Sequence, residues 1–366
     1  VPVQKQFIQS IANTVGTDFT KYKVVKKGQF TYIPDTSRRG DKIAIALLED
    51  YEEGLVSNVY TVFEVIDTEK LLPEYLMLWF SRPEFDRYAR FKSHGSVREV
   101  MDWEEMCKVE LPVPDIEKQR KIVKAYKTIT DRIALKQKIN DNLVACIDTI
   151  FNEQFGNFKA LAESSTANTD FSSLPDGWTI ENAVHSFDIS IGKTPPRSEP
   201  EWFTSNQTDN VWISIADMKT NSPFIFKSAE YLTNEAVKKH NVKIVPANSV
   251  LLSFKMTVGR VAIVTNEVTT NEAIAHFPCT KENLFFVYCY LKNFNYGYLG
   301  STSSITTAIN SKIIKEMPFL MPSKKELYLF NHKVSGLFEQ LKYISKELDI
   351  LEELSKMLLP QLLGHC

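Results

Sequence analysis

The chain has 366 residues, of which 43% are hydrophobic and 24% charged, and its formal net charge is −2. This is ordinary globular composition, long enough for two or three domains, and the nearly balanced charge confines any nucleic-acid binding to local basic patches. No run approaches about 18 apolar residues and no basic-then-apolar leader opens the chain, so we expect a cytoplasmic protein without a membrane span. The cysteines form no C-x-x-C pair and are odd in number, which argues against structural zinc and a disulfide framework.

Strand signals recur along the chain, at GQFTY (28–32), KIAIAL (42–47), VWISI (211–215), SVLLSF (249–254) and RVAIV (260–264). A helix-like stretch covers residues 74–91. The Ser-, Thr- and Ala-rich stretch 156–173 is typical of a linker. These signals predict an α+β protein with two mixed α/β domains.

An internal repeat relates residues 95–156 to residues 303–364 at a constant offset of 208 residues. Equivalent pairs include Ser96 and Ser304, Asp102 and Asn310, Pro114 and Pro322, and Gly156 and Gly364. The copies differ at their starts, since about 70 residues separate Leu174 from Lys243 and only about 20 precede Lys23. We therefore expect a pseudo-two-fold repeat whose first copy lacks an opening portion.

Each copy ends in a predicted long helix with a heptad seam. The first seam contains Ile122, Tyr126, Ile129, Ile133, Lys136, Asn140, Leu143, Ile147 and Ile150. The second contains Phe330, Val334, Leu337, Leu341, Ile344, Leu348, Leu351, Ser355 and Leu358. Each seam covers about 28 residues, or roughly 42 Å, so we expect the two helices to pair. The predicted pairing residues are Ile129, Ile133, Asn140 and Leu143 with Leu337, Leu341, Leu348 and Leu351.

Three polar residues interrupt these seams: Lys136, Asn140 and Ser355. They either fix the register of a buried interface or face solvent where the helices splay. Spacing alone is compatible with both alternatives and with either relative direction of the helices.

Known catalytic motifs fail when their spacing is tested. GKT at 192–194 lacks the glycine that a P-loop needs five residues before the Gly-Lys pair, where Phe187 stands. No Gly-rich turn for a nucleotide cofactor and no clustered His or Cys ligands occur, so we predict no catalytic residue and no metal site. Asp115 in PDIEK is expected to be a helix N-cap rather than a nuclease carboxylate.

Two basic loops at corresponding places in the repeats remain, YIPDTSRRGDKIAIAL (32–47) and SFKMTVGRVAIV (253–264). Each runs from one strand through polar and basic residues and a glycine into another strand. Their candidate DNA contacts are Ser37, Arg38, Arg39, Lys42, Lys255, Thr257 and Arg260. The alternative is that each loop is a solvated hairpin tip.

A second pair of loops, RFKSHGSVRE (90–99) and GSTSSITT (300–307), precedes the segments that lead into the long helices. These loops and IGKTPPR add the candidates Lys92, His94, Ser96, Arg98, Lys193, Arg197, Thr302, Ser303, Ser304 and Thr306. His94 could equally cap the helix that follows. Neither loop offers a nucleophile with a positioned base, which favours recognition over catalysis.

The ordered motifs LPDGW, IGKTPPR, WISIADM, LLSFKMTVGRVAI and NEAIAHF, followed by a long helix ending in LLPQLLG, resemble the specificity subunit of type I restriction-modification enzymes. In the first copy, TSRRGDKIAIAL and ELPVPDIEKQRKIV resemble another recognition-domain variant of that family. The resemblance covers nearly the whole chain. The first copy departs from it by lacking equivalents of LPDGW and IGKTPPR.

This resemblance implies a non-catalytic subunit whose two target-recognition domains each read one half of a split, asymmetric DNA sequence. It also implies two antiparallel spacer helices that bind two modification subunits carrying S-adenosylmethionine, and restriction subunits that use ATP and Mg²⁺. On this basis we expect recognition domains at 1–114 and 158–322 and spacer helices at 115–157 and 323–366. The alternatives are a self-contained DNA-modifying enzyme and a coiled-coil scaffold without a nucleic-acid role.

Overall fold

The chain folds into two compact units in the computed structural model. Unit 1 comprises residues 1–133 and 351–366, and unit 2 comprises residues 134–350. The structure describes residues 5–8, 16, 18–37, 40, 42–95, 99–164, 171–172, 174–219, 222–299 and 309–364. Within this described part, every helix is too short or too polar to cross a membrane.

Unit 1 contains two small antiparallel sheets. Their strands are β1 (Lys23–Lys26), β2 (Phe30–Ile33), β3 (Ala44–Leu47), β4 (Glu53–Val56) and β5 (Thr61–Phe63), and a 3₁₀ turn (Phe19–Lys21) precedes them. β2 lies between β3 and β5, whereas β1 pairs with β4. Phe30, Tyr32 and Ile45 are fully buried in the core of this unit. Aromatic and β-branched residues pack well on a pleated surface, which explains the choice of strand at these positions.

Two helices follow the strands of unit 1, α1 (Pro73–Phe80) and α2 (Pro83–Lys92). The helix-like stretch predicted at 74–91 is therefore divided into two helices, which are separated at Ser81 and Arg82. Pro83 disfavours helical geometry at the residue before it, and Arg82 is indeed extended, with φ −69° and ψ 143°. A proline is accepted at the first position of a helix because its missing N–H has no partner there.

A short helix and a long helix complete this part of the chain, α3 (Trp103–Cys107) and α4 (Ile116–Glu163). Both begin at an aspartate cap: Asp102 accepts a 2.9 Å hydrogen bond from Glu105 N, and Asp115 accepts one of 2.9 Å from Lys118 N. The predicted N-cap role of Asp115 is confirmed, and Asp102 rather than His94 caps α3.

The linker predicted at 156–173 begins later than expected, because α4 continues to Glu163. Phe158 on this last part of α4 packs on Trp178, with the ring centroids 4.7 Å apart, and Ala162 is fully buried. Tertiary packing of these apolar residues extends the helix into a stretch whose Ser- and Ala-rich composition favoured a linker.

Unit 2 holds most of the strands. They are β6 (Thr179–Asn182), β7 (Ser190–Ile191), β8 (Phe203–Thr204), β9 (Asn210–Ile213), β10 (Phe224–Ile225), β11 (Glu230–Leu232), β12 (Ser249–Ser253), β13 (Val261–Val264), β14 (Thr269–Thr270), β15 (Ile274–Pro278) and β16 (Pro318–Met321). The helical elements that follow α4 are α5 (Ala183–Ser186), α6 (Asn234–Lys239), α7 (Leu284–Asn293), α8 (Ser311–Glu316), 3₁₀ turns at Pro200–Trp202 and Tyr296–Leu299, and α9 (Lys324–Leu363), whose residues from 351 onward belong to unit 1.

These strands form three sheets. The largest has the order β10-β13-β12-β15-β7, the second has the order β14-β9-β11-β8, and β16 pairs with β6. In the largest sheet, β12 is antiparallel to both β13 and β15. β12 thus corresponds to β2 of unit 1, which is also central and also leads through a basic loop into its neighbour.

The core of unit 2 is rich in aromatic rings that the long helices contribute. Phe151 and Phe155 of α4 pack with Phe330 of α9 and with Phe286 of α7 at centroid distances between 5.0 and 6.4 Å. All four side chains are fully buried. The helices therefore belong to the hydrophobic core of the unit.

The long helices run antiparallel within each unit. In unit 2, Gln154 donates a 3.0 Å hydrogen bond to Glu326, and Lys136 lies 2.7 Å from Glu347. The later residue of α4 thus contacts the earlier residue of α9, as in an antiparallel pair. In unit 1, Ser355 lies 3.4 Å from the Tyr126 hydroxyl. The antiparallel orientation that the family resemblance implied is confirmed.

The polar seam residues lie in the helix interface. Lys136 and Glu347 form an ion pair with each side chain about a quarter exposed. Asn140 is only 3% exposed, and Ser355 is half-buried against Tyr126. For Lys136 and Ser355, polar pairing inside the interface agrees with the structure, and the burial of Asn140 argues against solvent exposure there.

Candidate nucleic-acid interface

Two candidate loops of unit 1 contact each other. Loop A (residues 34–43) joins β2 to β3, and loop B (residues 93–102) joins α2 to α3. The hydroxyl of Thr36 donates a 2.8 Å hydrogen bond to that of Ser93, and Thr36 N donates one of 3.1 Å to Glu99 O. Thr36 is fully buried and Ser93 nearly so. The connection therefore forms away from water, which makes each hydrogen bond costly to break.

Further backbone bonds continue this connection. Met101 N donates to Pro34 O at 2.9 Å, and His94 and Val100 exchange two hydrogen bonds of 3.0 Å. Glu99 forms an ion pair with Arg90 of α2. Loops A and B are thus one connected structure, although about 60 residues separate them in the chain.

Asp86 of α2 anchors the far end of loop A. Its carboxylate lies 2.9 Å from Lys5 Nζ and accepts a 3.2 Å hydrogen bond from Ile43 N. Burial lowers the pKa of the Lys5 ammonium, while the hydrogen bond and charge of Asp86 act in the opposite direction. A buried ammonium needs such a partner, and Asp86 consequently ties both the N-terminal segment and loop A to α2.

The predicted contacts in unit 1 differ in exposure. Lys42 and His94 are exposed, and Ser37 and Lys92 are half-buried. The Lys92 ammonium lies 5.9 Å from the centre of the Tyr88 ring and 3.9 Å from Glu105. The candidates Arg38, Arg39, Ser96 and Arg98 lie outside the described residues, as do Thr302, Ser303, Ser304 and Thr306 of unit 2.

In unit 2, the loop equivalent to loop A is organised around one serine. This loop C (residues 254–260) joins β12 to β13. The buried hydroxyl of Ser253 donates a 2.6 Å hydrogen bond to Thr257 O and accepts one of 3.0 Å from Arg260 N. Gly259 N donates a 2.9 Å hydrogen bond to Ser253 O. The backbone of Gly259 has a positive φ of 89°, which glycine adopts without strain. Both ends of loop C are therefore fixed to the end of β12.

The candidate residues of loop C fall into two groups. Lys255 and Thr257 are exposed at the tip, and the Lys255 ammonium lies 5.7 Å from the Phe254 ring centre. Arg260 is half-buried and donates a 2.6 Å hydrogen bond from Nη1 to Ile215 O. The tip side chains are free to reach a ligand, whereas Arg260 is anchored within the unit.

The segment IGKTPPR is fixed by intramolecular contacts. Arg197 donates two hydrogen bonds of 2.7 and 2.8 Å to Glu230, and its guanidinium lies 3.9 Å from the Phe203 ring centre. This pairing lowers the pKa of Glu230 and raises that of Arg197. Lys193 is exposed, and its N–H donates 2.9 Å to Thr270 O. The planar fork of Arg197, which suits phosphate or guanine, is thus occupied by a carboxylate.

A buried histidine stands behind this segment. His276 on β15 is fully buried, with the Ser190 hydroxyl 2.8 Å from Nδ1 and the Thr270 hydroxyl 2.7 Å from Nε2. Burial lowers its pKa to about 4, so the ring is neutral at physiological pH. Among the described residues, no three His, Cys, Asp or Glu side chains form a group that could hold a metal ion. His276 is thus a core residue whose two ring nitrogens are both paired with hydroxyl groups.

Sequence reasoning missed the residues that hold the loops: Thr36, Ser93, Asp86, Ser253 and His276. Their partners are 57 residues away for Thr36 and 86 residues away for His276. Only Ser253 carried a local signal, since it ends a strand directly before a basic loop.

A repeated α+β module that presents connected polar loops, followed each time by a long paired helix, defines a two-module recognition protein. The sequence model of the type I restriction modification DNA specificity domain matches residues 4–145 and 186–356, more than half of the chain. The chain therefore belongs to this family of type I restriction-modification specificity subunits. It is a non-catalytic, DNA-recognition subunit, because the catalytic roles of such systems belong to other subunits.

Individual relatives agree with this assignment. The HindI specificity subunit of Haemophilus influenzae is 24% identical over 93% of this chain and 87% of its own length. The MjaIX specificity subunit of Methanocaldococcus jannaschii is 23% identical over 81% of this chain and 70% of its own. The crystal structure of the type I S subunit from M. genitalium covers 100% of this chain and 90% of its own at 13% identity, with a TM-score of 0.56, which indicates a shared fold.

Proposed function

We propose that each unit carries one target-recognition domain, within residues 1–114 and 158–322, and that each domain reads one half of a split DNA sequence. The observation that carries this proposal is the joining of loops A and B through Thr36 and Ser93. Two segments whose sequences carry basic and hydroxyl side chains are joined through their described residues, as a reading surface requires. Because the two modules differ in sequence, the two half-sites differ as well.

Within each domain, the exposed tip residues are the best candidates for contacting DNA. Lys42, Lys255 and Thr257 present donors that suit phosphate oxygens or base edges. Arg197 is better placed to hold the IGKTPPR segment through Glu230 than to contact DNA. The modest net charge fits this division, since partner subunits can supply further phosphate contacts.

A methylation map tests this proposal. The chain is co-expressed with its modification subunits, and methylated adenines are located by single-molecule sequencing. We expect a split, asymmetric motif. Lys42→Ala should lower the preference for the cognate bases in one half of the motif and Lys255→Ala that in the other, by about fivefold or more if each removes a base contact. Each variant is the control for the other, and a variant that lowers the base preference in both halves equally would contradict independent reading.

We further propose that the long helices set the half-site spacing and bind two modification subunits. Leu135 of α4 and Tyr343 of α9 occupy equivalent positions of the repeat and are 57% and 70% exposed. Large apolar side chains at the same place on two related helices suit two copies of one partner. Ile350 of α9, one heptad after Tyr343, is exposed as well and extends the apolar face.

Native mass spectrometry of the co-expressed complex tests the docking sites. Leu135→Glu and Tyr343→Glu should each remove one modification subunit, and the double variant should remove both. Ile66→Glu is the control, because Ile66 is an exposed apolar residue outside the long helices. Full occupancy in the double variant would rule out this docking surface.

The proposed complex supplies the chemistry that this chain lacks. The modification subunits would bind S-adenosylmethionine, and the restriction subunits would bind ATP and Mg²⁺. The complex would work in the cytoplasm, where the DNA substrate is found. A scaffold without a DNA role is the competing proposal. It predicts that Lys42→Ala and Lys255→Ala, even combined, leave the DNA affinity of the assembled complex unchanged.

A further inference from the structure

Met256 stands out at the tip of loop C. Its side chain is 100% exposed, and its backbone has a φ of +57°. An exposed apolar residue on its own needs no explanation, but a methionine in the left-handed region is uncommon, because the Cβ atom crowds the backbone there. Strained residues of this kind tend to occur at binding sites, where the surrounding structure holds them in place.

The surrounding structure here is the serine-organised base of loop C. Ser253 binds Thr257 O and Arg260 N, one on each side of the turn, and Thr257 N donates 2.6 Å to Lys255 O directly across Met256. The left-handed residue is therefore bracketed by hydrogen bonds. Loop C presents the thioether side chain to solvent from a fixed base.

The neighbours of Met256 indicate its ligand. Lys255 and Thr257 on either side are exposed and polar, which suits phosphates and the donor and acceptor edges of bases. The edges of base pairs in the major groove offer one prominent apolar group, the C5-methyl of thymine. An unbranched, polarisable side chain between two polar ones matches that combination of groups.

We propose that Met256 contacts the methyl group of a thymine in the major groove of the half-site read by unit 2. This inference rests on the proposed function of unit 2 as a DNA-reading domain. It adds a specificity-determining apolar contact to the polar contacts of the same loop.

Replacement of thymine by deoxyuridine, which lacks only the methyl group, tests the contact. The assembled complex of this chain with its modification subunits is titrated with cognate duplexes that carry deoxyuridine at one position at a time. At one thymine of the half-site, we expect wild-type affinity to fall about fourfold, the equivalent of about 0.8 kcal/mol for one methyl group. In Met256→Ala, deoxyuridine at that position should cause no further loss.

Two variants keep the result interpretable. Met256→Gly relieves the positive φ, so it should fold at least as well as wild type while showing the same insensitivity to deoxyuridine. Ile66→Ala removes an equally exposed apolar side chain from unit 1 and should retain the full deoxyuridine effect. Sensitivity to deoxyuridine that persists in Met256→Ala overturns the inference, as does wild-type affinity of Met256→Ala for the cognate duplex.

A failure of the proposed function would look different. In that case the wild-type complex itself would not distinguish cognate from scrambled duplex, and Lys255→Ala would have no effect on binding. A third result, a 2-aminopurine signal of base unstacking that Met256→Ala abolishes without any deoxyuridine dependence, would replace the methyl contact by a wedge and overturn the inference.

Discussion

Replacing Gly192 by alanine adds only a methyl group but should strongly lower the free energy of unfolding. It directly follows β7 and begins the segment GKTPPR, and a Cβ atom added there would lie 2.1 Å from both Asn271 O and the Thr270 hydroxyl. Non-bonded atoms prefer separations of about 3.5 Å. In Gly192→Ala the segment must therefore move away from the turn between β14 and β15.

This movement determines how much the free energy of unfolding falls in Gly192→Ala. It breaks the 2.9 Å bond from Lys193 N to Thr270 O and the 3.1 Å bond from Gly192 N to Ile274 O. Two hydrogen bonds at about 1 kcal/mol each, together with overpacking of about 1–3 kcal/mol, lower the free energy of unfolding by about 3–5 kcal/mol. Urea unfolding of the full chain measures this loss, and hydrogen exchange at the amides of β7 and β15 localises it to unit 2.

The same substitution at Gly336 is a matched control with the opposite sign. Gly336 lies inside α9, and a Cβ atom there would meet no other atom within 4 Å. Alanine is the better helix former, so Gly336→Ala should raise the free energy of unfolding by up to about 1 kcal/mol. If Gly192→Ala unfolds at the same urea concentration as wild type, or if Gly336→Ala unfolds earlier, the reasoning from Cβ contacts is refuted.

Three further outcomes follow from buried or paired groups. The pKa of His276 is about 4 in the folded protein against an ordinary value of 6.5, so the unfolded chain binds a proton at a higher pH than the folded protein does. The free energy of unfolding should therefore fall by up to about 3 kcal/mol as the pH drops from 6.5 to 4. Amide hydrogen exchange at β12 and β15 measures this loss. Thr36→Val deletes the hydroxyl that binds Ser93, which should cost about 1–3 kcal/mol and speed amide exchange at Thr36 and Met101. Glu347→Lys places two ammonium groups together and should lower the melting temperature, and Lys136→Glu in the same chain should restore it.

Each of these outcomes has a control or a contradicting result. His276→Gln should lose the component of the pH dependence that lies between 6.5 and 4, so an unchanged profile would assign it to other groups. Thr36→Ser keeps the hydroxyl and should exchange like wild type. A double charge reversal no more stable than Glu347→Lys alone would show that the Lys136 contact contributes nothing.

Local patterns predicted the parts of this fold that are themselves local. The heptad spacing identified both long helices, and the repeat offset placed Asp102 and Asn310 at the same position, where both are N-caps of short helices. The apolar pattern at 74–91 is helical on both sides of Pro83, so it does not reveal the break between α1 and α2. The linker-like composition of 156–163 does not reveal that α4 continues, because the packing of Phe158 on Trp178 is a tertiary contact.

The connections within the candidate sites could not be predicted in this way. Asp86 meets Lys5 and Ile43, and His276 meets Ser190, through contacts between residues that are distant in the chain. Such contacts leave no periodicity, because a single hydrogen-bonded pair imposes no repeating pattern on either segment. Sequence thus indicated which loops to consider, and the fold alone revealed that loops A and B form one structure.

In loop C, different residues hold the loop in place and present side chains to solvent, and this separation affects how new DNA specificities can arise. Ser253 and Gly259 hold the base of the loop, while the side chains of Lys255, Met256 and Thr257 contribute little to the packing of unit 2. Substitutions at Lys255 and Thr257 are therefore nearly free of folding cost, and at Met256 the positive φ disfavours chiefly β-branched residues, so many tip sequences are compatible with an unchanged framework. A library randomised at these three positions should yield a high fraction of folded proteins with altered DNA preference.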